Sequence, residues 1–278
     1  DVPPEWIMCG NGSDDILTIV TRTFVGSGQT LRIPTPSYSL YRTLANIQGA
    51  VVDEVVFNPN WTLSDSFVAP GEALQLAVIA NPNSPSGTLI PPEDILQIAE
   101  RLPCALLVDE AYVDFANVNC MQLVKQNEKV MVLRTLSKSY ALAGLRFGFI
   151  VAQPQVIRQL NKVKDSYNCD AMSIAAATAA IADQTWLQTN RTRVIDSRNR
   201  FSTEVEKLGF VVTPSQANFV WCNHPRVEPK RLFVQLRNAR ILVRYMNYDG
   251  WGDGLRISIG TDAQLDACLD QFRILLPK

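Results

Sequence analysis

Lysine is missing from the first 124 residues of this 278-residue chain; the first is Lys125. An amine nucleophile other than the terminus must therefore come from the second half. Histidine occurs once, as His224 in the turn signal Asn223-His224-Pro225. A lone histidine in a turn argues against Ser-His-Asp chemistry and histidine-rich metal sites, so no metal centre is expected. The six cysteines (Cys9, Cys104, Cys120, Cys169, Cys222 and Cys268) include no C-x-x-C pair. A chain of this length needs no staples, so reduced thiols and a cytoplasmic location are expected. No apolar run of about eighteen residues is present, and the start, Asp1-Val2-Pro3-Pro4-Glu5, shows no signal-peptide pattern. With a net charge of −1 there is no broad pull toward nucleic acid or an anionic membrane. Repeats and low-complexity segments are also missing.

What is present is apolar sequence in short, regularly spaced runs, within a composition that is 47% hydrophobic. Residues 30–33, 50–56, 76–80, 105–108, 130–133 and 149–152 read as strands, several of them continuously apolar. Helical spacing runs from Ile16 to Phe24, from Ser37 through Tyr41 and Leu44, and over 92–102. Strand alternating with helix predicts a mostly parallel sheet covered on both faces. Helices follow at 154–164, 173–182 and 185–208, the last polar and arginine-rich, as suits a connector. Beyond it the texture changes to α+β, with strands at 210–213, 218–222, 241–244 and 255–259 and a helix at 229–238. A final helix opens on the capping-box pattern Thr261-x-x-Gln264. The expected domains are 1–184 and 185–278.

Polar groups cluster where strands end. Lys138 follows the strand 130–133, with Ser137 before it and Arg146 eight positions on. A lysine at a strand's carboxyl end lies where open α/β sheets bind ligands, and it can form a Schiff base with a carbonyl cofactor. Ser137 and Arg146 can hold a phosphate. Asp109 and Tyr112 follow the strand 105–108, and the amide- and hydroxyl-rich turn 81–87 follows 76–80. Gly10-Asn11-Gly12-Ser13-Asp14 opens a helix and offers backbone N–H groups to an anion. Tyr38, just past a strand, can stack on a flat ring. These parts suit pyridoxal phosphate, which needs a lysine, a carboxylate for its ring nitrogen, donors for its phenolate and a phosphate cradle.

Residues 10–14, 81–87, 108–112, 134–148 and 255–261 together resemble the fold-type I, pyridoxal-phosphate-dependent class I/II aminotransferases. They are most similar to the histidinol-phosphate branch. The resemblance implies a seven-stranded-type, mostly parallel sheet between helices with a smaller α+β C-terminal domain, and a homodimer. Lys138 would carry the cofactor and move the substrate proton, Asp109 pair with the ring nitrogen, Tyr112 donate to O3′ and Tyr38 stack. Gly12, Ser13 and Asp14 would cradle the phosphate with Ser137 and Arg146. Arg256 resembles the carboxylate-binding arginine, and Arg244 the arginine that reads a substrate phosphate. The implied activity is amino transfer between L-histidinol phosphate and 2-oxoglutarate, in histidine synthesis. Alternatives are an aromatic aminotransferase, a threonine-phosphate decarboxylase, or a cofactor-binding chain without turnover. The sequence departs from the family pattern at Ser84, where asparagine usually contacts O3′, so either Asn83 or Ser84 takes over or the contact is weaker. The family pattern also places an arm and helices ahead of the glycine turn. A chain lacking them is expected to bind cofactor with activity in question.

Overall fold

The computed structural model describes residues 2–276. The first part of the chain forms β1 (Ile7–Gly10), α1 (Ser13–Phe24), β2 (Thr30–Thr35), α2 (Leu40–Ile47), β3 (Val51–Val56), β4 (Leu74–Ala80), α3 (Pro92–Arg101), β5 (Ala105–Asp109), α4 (Leu123–Gln126), β6 (Val130–Thr135) and β7 (Gly148–Val151). Then come α5 (Pro154–Val163), α6 (Ala171–Ala182), α7 (Gln184–Lys207), β8 (Val211–Thr213), β9 (Phe219–Asn223), α8 (Pro229–Asn238), β10 (Arg244–Tyr248), β11 (Gly252–Ser258) and α9 (Asp262–Leu275).

Seven strands form one sheet in the order β1-β7-β6-β5-β4-β2-β3. All pairings are parallel except those of β7, which runs against both β6 and β1. The reason lies in the connection. Between β6 and β7 the chain makes no crossover helix, only a loop carrying Lys138, and a loop without a crossover returns antiparallel. The central strands carry continuous apolar runs, residues 76–80, 105–108 and 130–133, because each feeds two cores. Leu76, Val78, Ala80, Leu107, Met131 and Leu133 pack with α1, α2 and α5 on one face. Ala77, Ile79, Leu106, Val108, Val130 and Val132 pack with α3 and α4 on the other. Period-two alternation thus sorts residues between cores rather than between core and water.

The second sheet is antiparallel, in the order β10-β11-β9-β8. Phe201 and Val205 of α7, Leu232 and Leu236 of α8, and Leu265, Leu269 and Phe272 of α9 cover it. The capping box expected at Thr261 and Gln264 forms in full. One strand was expected too early. Residues 241–243 are not strand; the chain turns at Arg240 (φ 63°), the Ile241 N–H returns to the Leu236 carbonyl, and β10 begins at Arg244. Ile241 and Val243 pack against the third core without entering the ladder, which explains their apolar character. His224 does lie in a turn, but buried, with its ring edge against Phe210.

Candidate active site

The carboxyl ends of β4, β5 and β6 deliver the Pro82–Ser84, Asp109–Tyr112 and Ser137–Lys138 groups to one rim of the large sheet, as parallel strands must. The N-terminus of α1 faces them. Ser13, Asp14, Tyr38, Tyr41, Ser84, Asp109, Tyr112, Ser137, Lys138 and Arg146 line a single cleft of about 660 Å³. A wider cleft of about 1680 Å³, lined by Trp61, Leu89, Ile98 and Val212, offers Asp94 and Arg101 but no lysine. The chemistry is in the smaller one.

Lys138 Nζ stands 5.3 Å from the centre of the Tyr112 ring, so amine and phenol share a wall. Asp109 lies at the floor. Its Oδ2 accepts from the Tyr41 hydroxyl at 2.7 Å and its Oδ1 from the Ala111 N–H at 3.1 Å. Burial pushes the Asp109 carboxyl up to about 6, against the lowering effect of these two bonds and of Lys138. Burial, with the Asp14 and Asp109 charges, pushes the Tyr38 phenol up to about 12, so it stays a donor.

The lysine loop is clamped. The Ser139 hydroxyl donates to Asp114, and Arg134 bridges Asp114 and the fully buried Glu110. Arg191 of α7 donates to the carbonyls of Asp114 (2.5 Å) and Ala116 (2.8 Å) from outside. The backbone on either side of Lys138 is therefore fixed to the turn that carries Asp109 and Tyr112. Sequence reading did not single out this clamp, since its members are far apart in the chain.

At the other end of the cleft, Gly12 caps α1 with φ at 82° and no side chain. The first-turn N–H groups consequently have no side-chain cap. A Cβ at residue 12 would strike Arg146 Nη2, so glycine is required for the guanidinium to lie over the turn. Arg146 Nη2 is 3.9 Å from Asp14 Oδ2. Asp14 places a carboxylate beside the cradle, so only its N–H favours an anion. The α1 terminus, Ser137 and Arg146 could together hold an anion in the cleft that Asp109 also lines.

Two expected contacts change. Asn83 does not line the cleft. Its amide donates to the Pro36 carbonyl and the Ser86 hydroxyl, and its carbonyl accepts from Ser37, all buried. Those bonds fold the 81–88 turn and leave nothing for a ligand, which corrects the expectation of a cofactor contact. Ser84 faces the cleft instead, and it accepts a hydrogen bond from Arg256 Nη1 at 2.8 Å. Arg256 also lies over the Phe219 ring, and its Nε is buried without a partner. Arg244 is directly opposite Arg256 in the β10–β11 ladder, so both side chains leave the same face of the sheet. Among the described residues, neither arginine pairs with a carboxylate. Tyr41 was passed over as a helix-core tyrosine. Its signal was legible all the same: it lies three residues after Tyr38, and α2 begins at Leu40.

These donors fit pyridoxal phosphate. The cleft brings together a buried carboxylate that could face a cationic ring nitrogen, a lysine, and a helix terminus with Ser137 and Arg146 that could take a phosphate. Comparison with known proteins agrees. The sequence profile described as "Aminotransferase class I and II" matches residues 2–272. Histidinol-phosphate aminotransferase of Rhodopirellula baltica is 55% identical over 96% of this chain and 74% of its own length. Histidinol-phosphate aminotransferase 1 of Nostoc sp. is 44% identical over 99% of this chain and 78% of its own. The crystal structure of the Sinorhizobium meliloti histidinol-phosphate aminotransferase in complex with pyridoxal-5′-phosphate superposes with a TM-score of 0.91 at 25% identity, covering 99% of this chain and 79% of that one. Sequence, fold and site therefore agree: the chain belongs to the class I and II aminotransferases, pyridoxal-phosphate enzymes.

Proposed function

We propose that the chain transfers an amino group between L-histidinol phosphate and 2-oxoglutarate, a step of histidine synthesis. The observation that carries this reading is the opposed pair Arg244 and Arg256, two cations without a carboxylate partner among the described residues, Arg256 reaching the lysine cleft through Ser84. Like charges opposite each other in a ladder destabilise it, so their retention suits an anionic substrate. Both proposed substrates are anions, one through phosphate and one through carboxylates.

Pyridoxal phosphate supplies, when bound, an aldehyde that takes the amino group and a ring that spreads the resulting charge. The rest falls to this chain. Lys138 Nζ would hold the aldehyde end and would serve as the base that takes the proton from the substrate carbon bearing nitrogen. Asp109, kept ionised by a cation opposite, fixes the ring nitrogen. Tyr112 donates to the phenolate oxygen and Tyr38 covers the ring. Gly12, Ser13, Asp14, Ser137 and Arg146 would anchor the phosphate, Ser13 and Asp14 through backbone N–H groups and Gly12, whose own N–H donates to the Gly10 carbonyl, by leaving room for Arg146. Arg256, steadied by Ser84, and Arg244 orient the substrate anion.

This reading includes a cytoplasmic homodimer with domains divided at 184/185. Among the described residues no helix is long and apolar enough to cross a membrane. Supporting self-association, α6 is apolar around its whole circumference yet leaves Met172 82% exposed, beside Tyr167 at 96%. An all-round apolar helix is normally covered.

The test is glutamate formation from 2-oxoglutarate, with L-histidinol phosphate, L-phenylalanine and L-threonine phosphate compared as partners of the cofactor-loaded protein. Turnover with the first and not the others supports the assignment. Turnover restricted to either of the others, carbon dioxide release in place of glutamate, or capture of pyridoxal phosphate without turnover defeats it. Arg244→Ala is expected to raise KM for the phosphorylated substrate at least ten-fold, since charge-assisted bonds to phosphate are the strong kind.

A further inference from the structure

A buried carboxylate at the floor of the cleft has to be kept both charged and aimed. The large sheet provides little for this: β5 ends at Asp109, and only the Ala111 N–H reaches one of its oxygens. The other oxygen is met from α2. Tyr41 is 2% exposed, and its hydroxyl has Asp109 Oδ2 as its one hydrogen-bond partner among the described residues, at 2.7 Å. Its ring is fixed edge-on against Tyr38, centroids 5.5 Å apart at 88°. Leu44 and Ala45, one turn further along α2, are buried in the same core and hold the helix in place.

We propose that Tyr41 is a positioning residue for the cofactor-binding carboxylate, its phenol donating to Asp109 Oδ2 so that the charged form is held in a single orientation. The inference rests on the assignment of the cleft to pyridoxal phosphate. Every titratable neighbour of the pair bears on the argument. Asp14 from α1 opposes the charge on Asp109, and Lys138 from the β6–β7 loop favours it. Tyr38 and Tyr112 face Tyr41 itself. Burial and the Asp109 charge raise the Tyr41 phenol well above its ordinary range, so across working pH it can only donate when it faces Asp109. A hydroxyl buried with no other acceptor, 68 residues away in sequence, stabilises the ionised carboxylate over the protonated one.

The experiment is the affinity for pyridoxal phosphate, read by quenching of intrinsic fluorescence between pH 5.5 and 8.5, for wild type, Tyr41→Phe, Tyr38→Phe and Asp109→Asn. The cofactor's own titrations are common to all four. Removing the Tyr41 hydroxyl is expected to move the acid limb of the binding curve up by about one pH unit. Binding then weakens nearly ten-fold at pH 5.5, and the difference fades above pH 8, as loss of a bond to a charged group implies. Tyr38→Phe leaves the limb in place, because its hydroxyl faces Asp14. In an Asp109→Asn background Tyr41→Phe shifts nothing further. Tyr41→His, which keeps a ring N–H, returns the limb part of the way, and Tyr41→Leu, which lacks a donor, stands in for Phe where that variant does not fold. A limb that stays put in Tyr41→Phe, or a loss of affinity equal at every pH, overturns the role of Tyr41. Wild type that does not bind, or Asp109→Asn that binds unchanged, overturns the site assignment and this inference with it.

Discussion

Asp109 is costly to the protein that carries it. Its folded-state pKa of about 6 stands above the usual 3.8, so between about pH 4 and 6 the folded chain keeps a proton that the unfolded chain has released. Stability of the cofactor-free protein should therefore fall as pH rises through that window and level off above it. Asp109→Asn removes the charge and is expected to stabilise the cofactor-free protein at pH 7.5 by about 1–3 kcal/mol, while weakening cofactor binding. Thermal melts with and without pyridoxal phosphate check both; a destabilised cofactor-free variant would contradict the burial argument. Gly12→Ala should lower cofactor affinity and cost about 1 kcal/mol or more of stability, because φ and Arg146 both oppose a side chain there. Calorimetry of cofactor binding measures the first effect and denaturant unfolding the second. Lys138, Asp109, Tyr112 and Arg146 were legible in the sequence because a strand end places a residue without further information. Asn83 was not. Whether an amide turns to a ligand or to its own loop depends on Ser37 and Pro36, which only the fold brings near.

At the scale of elements, the loop between β6 and β7 is held by the Ser139–Asp114 bond rather than by regular structure. Ser139→Ala should loosen Lys138 without touching the cofactor. We expect kcat to fall about ten-fold or more with KM nearly constant, since misplacing a reacting group costs rate before binding. Steady-state kinetics distinguish this from a binding defect, which would raise KM instead. The elements themselves were read well where burial is complete. β4, β5 and β6 are unbroken apolar runs that admit no other state at that length. β10 was read three residues early because Ile241 and Val243 look like strand residues. They are apolar to cover a core beside the sheet, and the positive φ at Arg240 that separates them from it has no sequence signature in arginine.

Over the whole molecule, α6 is the element whose surface does not match its surroundings. It is anchored where Ser173 donates to the Leu145 carbonyl, one residue from Arg146. A partner covering Met172 and Ile181 would thus bear on the phosphate cradle through a single hydrogen bond. Met172→Glu with Ile181→Glu is expected to convert a dimer to a monomer in sedimentation velocity, with melting of the isolated chain little changed because both side chains are exposed. An unchanged sedimentation coefficient would place self-association elsewhere. The antiparallel course of β7 and the second sheet's order belong to this scale too. Local pattern identifies strands, while direction depends on what the chain does between them.

The division of labour between the two sheets has a consequence for how such a protein can change. Lys138, Asp109 and the residues proposed to hold the phosphate sit on the rim of the seven-stranded sheet, whereas Arg244 and Arg256 face each other on one rung of the four-stranded one, Arg256 being joined to that rim by Ser84. With the proposed roles, substitutions confined to β10 and β11 would revise which amine donor is accepted and leave cofactor capture alone. The scaffold is in this sense evolvable: substrate choice can drift, or be rewritten by a designed library of two strands, while the reaction is inherited intact.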